Sequence, residues 1–347
     1  MTEAVFAIPG DKDQRTGGFI YEATVLRMLN EIGCTTAHLQ LPGSFPNPTA
    51  DDMGRAVSAL CAVPRSCPII LDGLVFGAID PAGLARVQAP VIAMIHHPLG
   101  LETGLPPDRA DFLLRNETAA LRHAAHVMVP SAETARVLST RFDVRPDRIT
   151  IAKPGFVRPT LQRCEISPQV ILSVGLLTRR KGHDTLLHAL STIADLPWQA
   201  VIVGKEHDRY TARDLYRQSS ALNLNARVTF AGELDAESLN RWFNSATIFA
   251  LATRYEGYGM VLSEAMLFGL PIVSCDAGAV RETMGQAGLL VPPDDPEAFG
   301  AALRLLLDDP ATRKRQSQLS FAEAGSLPEW HDTARIFAEL IRSLDAT

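Results

Sequence analysis

A strand, a glycine-bearing polar loop and a helix occur in that order twice, and this repeat constrains the fold most. The first copy opens the chain. EAVFAIPG carries the buried apolar run Val5–Ile8, DKDQRT is polar and ends at Gly17-Gly18, and FIYEATVLRMLNEIG has helical spacing with Ile20, Ala23, Leu26, Leu29 and Ile32 expected inward. The second copy begins at residue 169. QVILSVG ends at Gly175, Arg179-Arg180-Lys181 forms a basic loop, and Gly182 precedes the helix DTLLHAL. A strand–loop–helix unit of this kind builds a parallel sheet covered by helices. At 347 residues the chain is long for one core. The expectation is an α/β chain of two Rossmann-like domains with a hinge near Leu161–Pro168. The first loop lacks G-x-G-x-x-G, so dinucleotide binding is not implied. Gly17-Gly18 serves either helix entry or a ligand's phosphates.

Further strands follow in each half. TTAHLQL, PIILDGL and APVIAMIHHPLG are strands of the first, and the third delivers His96 and His97 to the carboxyl end of a parallel sheet, where ligands bind. PPDRADFLLRNETAALRHAA is a helix with Phe112, Leu113, Ala120 and Leu121 among its apolar positions. Ser131 has the chemistry of an N-cap. His123 and His126 are spaced like metal ligands, but no carboxylate or cysteine cluster completes a site. In the second half WQAVIVG ends at Gly204, and ARVTFAGELDAESLNRWFNSATIFALATRYEG supplies two strands with a helix between.

The chemistry concentrates in Arg254–Glu282, RYEGYGMVLSEAMLFGLPIVSCDAGAVRE. Glu256 stands in a turn with Gly257, Tyr258 and Gly259. MVLSEAMLFG is a helix stopped by Gly269 and Pro271. The first N–H groups of a helix lack partners and favour an anion, and glycine lets a phosphate approach. Glu256 and Glu264 are eight positions apart, about 12 Å if helical throughout. That separation suits two ends of one long ligand rather than one reacting atom.

Together with GLLVPPDDPEAF downstream, this E-x7-E pattern before EAMLFGLPIVS resembles the donor site of glycosyltransferase family 4. The resemblance implies a GT-B fold, two Rossmann-like domains facing across a cleft. The N-terminal, acceptor-binding domain would be 1–165, joined by a C-terminal helix that crosses back (327–347), and the donor domain would be 166–326. It implies a retaining, metal-independent transferase that uses a nucleotide-diphosphate sugar, UDP favoured, and needs no cofactor. Arg180 and Lys181 would stabilise the leaving diphosphate with the N–H groups of Gly259, Met260, Val261 and Leu262. Gly257 and Tyr258 complete that turn, and Glu264 would accept the ribose hydroxyls. Glu256 would bind sugar hydroxyls and support charge at the reacting carbon. Gly17 and Gly18 would reach the donor phosphates and Gly175 the basic loop, while Gly204 and Leu234 would flank the base. His96, or else His97, would meet the donor sugar. The family often has arginine directly after the strand-end glycine, where this chain has Leu176, so Arg180 stands in as the second cation. Rival readings are a nucleotide-sugar epimerase or hydrolase and a non-catalytic binding protein.

Composition sets the outer limits. A formal charge of −6 argues against a nucleic-acid partner. Five scattered cysteines and the absence of a signal-peptide pattern imply a cytoplasmic protein. Residues 1–165 are close to neutral, and most of the net charge falls in the remainder. The arginines between Arg109 and Arg163 form either a solvated face or a peripheral membrane contact. The acceptor, whether glycan or lipid, and the oligomeric state are not encoded in any motif.

Overall fold

The computed structural model describes residues 2–162, 164 and 166–345, without the side chain of Asp345. Arg163 and Glu165, in the expected hinge, and Ala346 and Thr347, in the returning segment, lie outside the described residues. The chain separates into two compact units, residues 1–157 with 328–347 and residues 158–327.

The first unit runs β1 (Ala4–Pro9), α1 (Gly17–Glu31), β2 (Thr36–Leu41), α2 (Ala50–Cys61), β3 (Ile69–Asp72), α3 (Gly73–Phe76), α4 (Pro81–Leu84), β4 (Val91–Met94), α5 (Pro107–Leu121), β5 (His126–Val129), α6 (Ala132–Arg141) and β6 (Ile149–Ile151). Its six strands are parallel, in the order β2-β1-β3-β4-β5-β6. The chain steps from β1 out to β2, then returns to β3 on the other side of β1. That reversal opens a crevice beyond the carboxyl ends of β1 and β3. β3 and β4 are buried throughout, as expected of a sheet covered on both faces. Ser131 caps α6 by accepting the Thr134 N–H.

Ile20, expected inward, and Phe112, one of the apolar positions of α5, are solvent-facing. Ile20 is 42% exposed and Phe112 46% exposed. On α1 the buried set is Phe19, Tyr21, Glu22, Val25, Leu26, Met28 and Leu29. The helix is covered on two sides, because the C-terminal helix Trp330–Asp345 packs along it within the same unit. Tyr21 packs against Trp330 and Phe337 and donates its hydroxyl to the Ala152 carbonyl at 2.8 Å. This double cover rotates the buried face onto Glu22 and leaves Ile20 outside. Phe112 lies under the Arg109 guanidinium, 5.1 Å from the ring centroid, rather than in the core.

The second unit runs β7 (Gln169–Val174), α7 (His183–Ser191), β8 (Trp198–Val203), α8 (Arg209–Ala221), β9 (Val228–Gly232), α9 (Ala236–Ser245), β10 (Ile248–Leu251), α10 (Met260–Leu267), β11 (Ile272–Cys275), α11 (Val280–Met284), β12 (Leu289–Val291), α12 (Pro296–Asp308) and α13 (Pro310–Ala324). Its parallel sheet has the order β12-β11-β10-β7-β8-β9. The chain runs outward from β7 to β9, returns to β10 beside β7, and runs outward again. The crevice of this unit therefore lies where β7 and β10 end. Helix α13 has no counterpart in the apolar pattern because hydroxyls help to fasten it. Ser317 and Ser320 donate to the carbonyls of Gly269 and Leu270, each at 2.7 Å, just beyond α10. No helix among the described residues is long and apolar enough to cross a membrane.

Phe337 in the C-terminal helix is fully buried within the first unit. Phe337→Ala is expected to cost about 3–5 kcal/mol in urea unfolding of that unit. An unchanged midpoint would show that this helix is not part of its core.

Candidate functional site

The second unit's site grows from the two loops that leave its central strands. After β7, residues Arg179–Lys181 form one turn of 3-10 helix, and Gly182 follows at φ +63°. A Cβ on Gly182 would lie 1.8 Å from the Ala252 carbonyl oxygen, so only glycine lets this turn seat against the exit of β10. The contact is tightened by backbone pairing. The Arg180 carbonyl accepts the Arg254 N–H at 2.8 Å, and the Thr253 hydroxyl lies 3.0 Å from it. The Arg254 guanidinium then clamps the far side, meeting Asp184 at 2.8 and 2.9 Å and Asp294 at 2.7 Å.

Glu256 is held inside this clasp and is 5% exposed. Lys181 Nζ lies 2.7 Å from its Oε1, Arg180 3.4 Å from its Oε2, and the Thr253 hydroxyl 2.9 Å from Oε1. Its carbonyl accepts the Ala279 N–H at 2.8 Å. Burial pushes the Glu256 carboxyl upward, but Lys181 and Arg180 outweigh it and hold the group below the usual glutamate range. Glu256 is therefore ionised at neutral pH, with two cations around one carboxylate.

Gly259 is the N-cap residue of α10; its φ of +89° turns the chain, and no side chain caps the helix. Leu262 N–H reaches back to the Gly259 carbonyl at 2.9 Å. Met260 and Val261 occupy the first helical turn, where no carbonyl four residues back within the helix exists for their N–H groups. One turn further, Glu264 is half-buried and makes no side-chain hydrogen bond among the described residues. Burial lifts its carboxyl to about 7, against the pull of Lys181. Tyr258 contributes backbone and packing here. Its ring is buried, its hydroxyl lies 3.4 Å from that of Ser263, and its carbonyl accepts from Thr283.

The remaining sequence-expected residues of this unit sit around the same carboxyl edge. Gly175 lies against the Lys181 stem, where a Cβ would come within 3.1 Å. Gly204 meets Gly175 so closely that a Cβ would fall 1.9 Å from its carbonyl oxygen, which gives it a packing reason independent of any ligand. Leu234 is half-buried just after β9. Leu176 carries no charge, but its carbonyl and that of Gly175 lie 3.2 and 3.3 Å from the buried His183 ring, which fixes the loop from below. Sequence reasoning missed Asp184, Thr253, Arg254 and Asp294. Each is ordinary by type, and only the fold pairs them.

In the first unit, His96 follows β4 and Gly18 lies against its ring, 3.4 Å from the Cβ that an alanine would carry. His96 Nε2 is 3.1 Å from Glu22 Oε1, and His97 Nε2 is 3.2 Å from Glu102 Oε2. Gly17 begins α1.

Lys181→Met would leave the buried Glu256 with Arg180, at 3.4 Å, as its remaining cation among the described residues, beside the Thr253 hydroxyl. Removing one partner of a buried ion pair costs about 3–5 kcal/mol, so a fall in unfolding free energy near that size is expected at pH 7. Because the folded-state pKa of Glu256 is depressed, the pair's contribution is complete above the unfolded value of about 4.5 and is lost as pH falls further. The wild-type advantage over Lys181→Met should shrink below that pH, and an equal stability of the two proteins at pH 7 would contradict the ion pair.

Residues 168–309 match the family model described as glycosyl transferases group 1. Over 225 residues the chain is 31% identical to D-inositol 3-phosphate glycosyltransferase of Corynebacterium urealyticum, covering 58% of this chain and 53% of the relative. The chain thus aligns with about half the length of that curated relative. Among solved structures, sucrose-phosphate synthase from Thermosynechococcus elongatus superposes with a TM-score of 0.83 at 21% identity, over 99% of each chain. The Anabaena protein HepE, solved in complex with UDP and glucose, superposes with a TM-score of 0.76 at 17% identity, over 99% of this chain and 100% of HepE. These likenesses establish the fold as GT-B. Residues 168–309, within the second unit, are thus similar to glycosyl transferases group 1, and the whole chain shares the fold of the two solved structures.

Proposed function

We propose that this protein is a retaining glycosyltransferase that moves a sugar from a nucleotide diphosphate, UDP favoured, to an acceptor hydroxyl without a metal ion. The observation that carries this reading is the Lys181–Glu256–Arg180 cluster at the β7/β10 crevice. One carboxylate between two cations leaves an excess positive charge beside the open first turn of α10. That is the electrostatic complement of a diphosphate. The relatives named above are glycosyltransferases or synthases by name, and HepE was solved with UDP and glucose.

In this reading Arg180, Lys181 and the N–H groups of Met260 and Val261 hold the diphosphate. As the bond between the anomeric carbon and the phosphate oxygen breaks, negative charge grows on that oxygen and the fixed cations stabilise it. The acceptor oxygen bonds to the anomeric carbon on the face the phosphate leaves, which retains configuration. Its proton passes to the departing phosphate oxygen, so the products are the glycoside and the free nucleotide diphosphate. Glu256 orients Lys181 and offers negative charge and hydrogen-bond acceptors to the donor sugar, where positive charge develops. Glu264 accepts the ribose hydroxyls, and the N-terminal unit contributes His96 to the donor sugar and selects the acceptor.

Glu256→Gln keeps the shape but removes the charge. Turnover of the donor should fall by about 100-fold or more, the scale of losing one transition-state electrostatic contact, while UDP binds within a few-fold of wild type. Wild-type turnover in that variant would overturn the role given to Glu256. Release of UDP at full rate with no acceptor present would instead identify a hydrolase.

A further inference from the structure

Beneath His96 the first unit buries two carboxylates. Glu22 lies in α1 and is fully buried, and Asp72 is the last residue of β3, where the strand order reverses between β1 and β3. One oxygen of each and a ring nitrogen of His96 lie within 4.8 Å of one another. Among the described residues neither carboxylate has a Lys or Arg partner, and Glu22 Oε2 is buried without a donor. Two bare anions this close in an apolar interior repel and pay a heavy desolvation cost, so the pair retains a proton. Asp72 Oδ1 accepts the N–H groups of Leu74 and Val75 at 2.8 and 3.2 Å, which offsets only part of the upward push of burial and Glu22 on its carboxyl. The contact between the carboxyls raises Asp72 and lowers Glu22, so the retained proton sits on the Asp72 side toward Glu22, and Glu22 Oε1 remains an acceptor toward the imidazole.

Burial drives the same way. It lifts Glu22 to about 8, lifts Asp72, and lowers His96 against the opposing charge of Asp72. The imidazole is neutral and has a single N–H. With Nε2 3.1 Å from an accepting oxygen, that hydrogen belongs on Nε2. The ring is further fixed by the edge of Tyr21, with centroids 5.4 Å apart, and by the close approach of Gly18. Its side chain keeps 24% of its surface open.

We infer that Glu22 and Asp72 are positioning residues that share one proton and lock His96 as the neutral Nε2–H tautomer, leaving Nδ1 as an acceptor for a donor-sugar hydroxyl. A charged imidazolium would oppose the positive charge that develops on the sugar; burial keeps the ring neutral, and the proton retained by the carboxyl pair limits the opposing pull of Asp72. This inference rests on the proposed role of His96, but its test does not depend on turnover.

The test is nitrogen-15 NMR of the full chain labelled at its nine histidines, with the His96 signals assigned by their loss in His96→Gln. At neutral pH the wild type should show His96 as one neutral Nε2–H form. Glu22→Gln should keep it, because the amide oxygen accepts from Nε2 and the amide NH2 replaces the shared proton toward Asp72. Glu22→Ala should give a mixture of tautomers. An Nδ1–H form or an imidazolium in the wild type would overturn the inference, as would an unchanged tautomer in Glu22→Ala. A His96 shift on adding one equivalent of Zn2+, reversed by chelator, would make the cluster a metal site and overturn it as well. No substrate is present, so failure here leaves glycosyl transfer standing, and failure of transfer leaves the tautomer measurement standing.

Discussion

The ion pair between Lys181 and Glu256 is the interaction on which the second unit's crevice depends. Each charge would be costly to bury alone. Together they tie the loop after β7 to the loop after β10, the two loops that flank the reversal of strand order. The tie also fixes the positions of other groups. Arg180 precedes Lys181 in the same turn, α10 begins four residues beyond Glu256, and Arg254 secures both loops from outside through Asp184 and Asp294. The positive charge of the site is thus held by the framework rather than by a mobile loop, and a preorganised charge does not have to be ordered when negative charge develops opposite it.

The first unit solves a different problem at the equivalent place. Its crevice contains a histidine instead of a cation cluster, and the ring needs a defined tautomer. The two buried carboxylates below it supply that without a compensating Lys or Arg among the described residues. The C-terminal helix contributes indirectly, because covering α1 from a second side turns Glu22 toward the sheet. In both units the chemistry lies at the reversal point because only there do adjacent strands send their following loops in opposite directions.

Much of this was legible in the sequence because it is local. The strand–glycine–helix repeat specified two parallel-sheet units, and Gly259 with MVLSEAML specified a helix start beside Glu256. Side-chain pairing across the fold was not legible. Arg254 and Asp184 are 70 positions apart and meet only because β7 and β10 are neighbours. Glu22 occupies an inward position that the apolar pattern assigned to Ile20, and nothing in α1 alone signals a second helix covering it. Helix α13 escaped the apolar reading for a related reason, since Ser317 and Ser320 hold it through hydrogen bonds to backbone carbonyls.

The most direct test of the account is calorimetric titration of the wild-type chain with UDP, GDP and ADP in excess chelator. The account predicts binding of a nucleoside diphosphate, UDP the tightest, at one site per chain with no metal, and an affinity at least about tenfold weaker in Lys181→Met, the scale of one charge-assisted contact. Absence of binding by all three nucleotides, or equal affinity in Lys181→Met, would contradict the claim that the buried cation–glutamate cluster is the seat of the donor diphosphate.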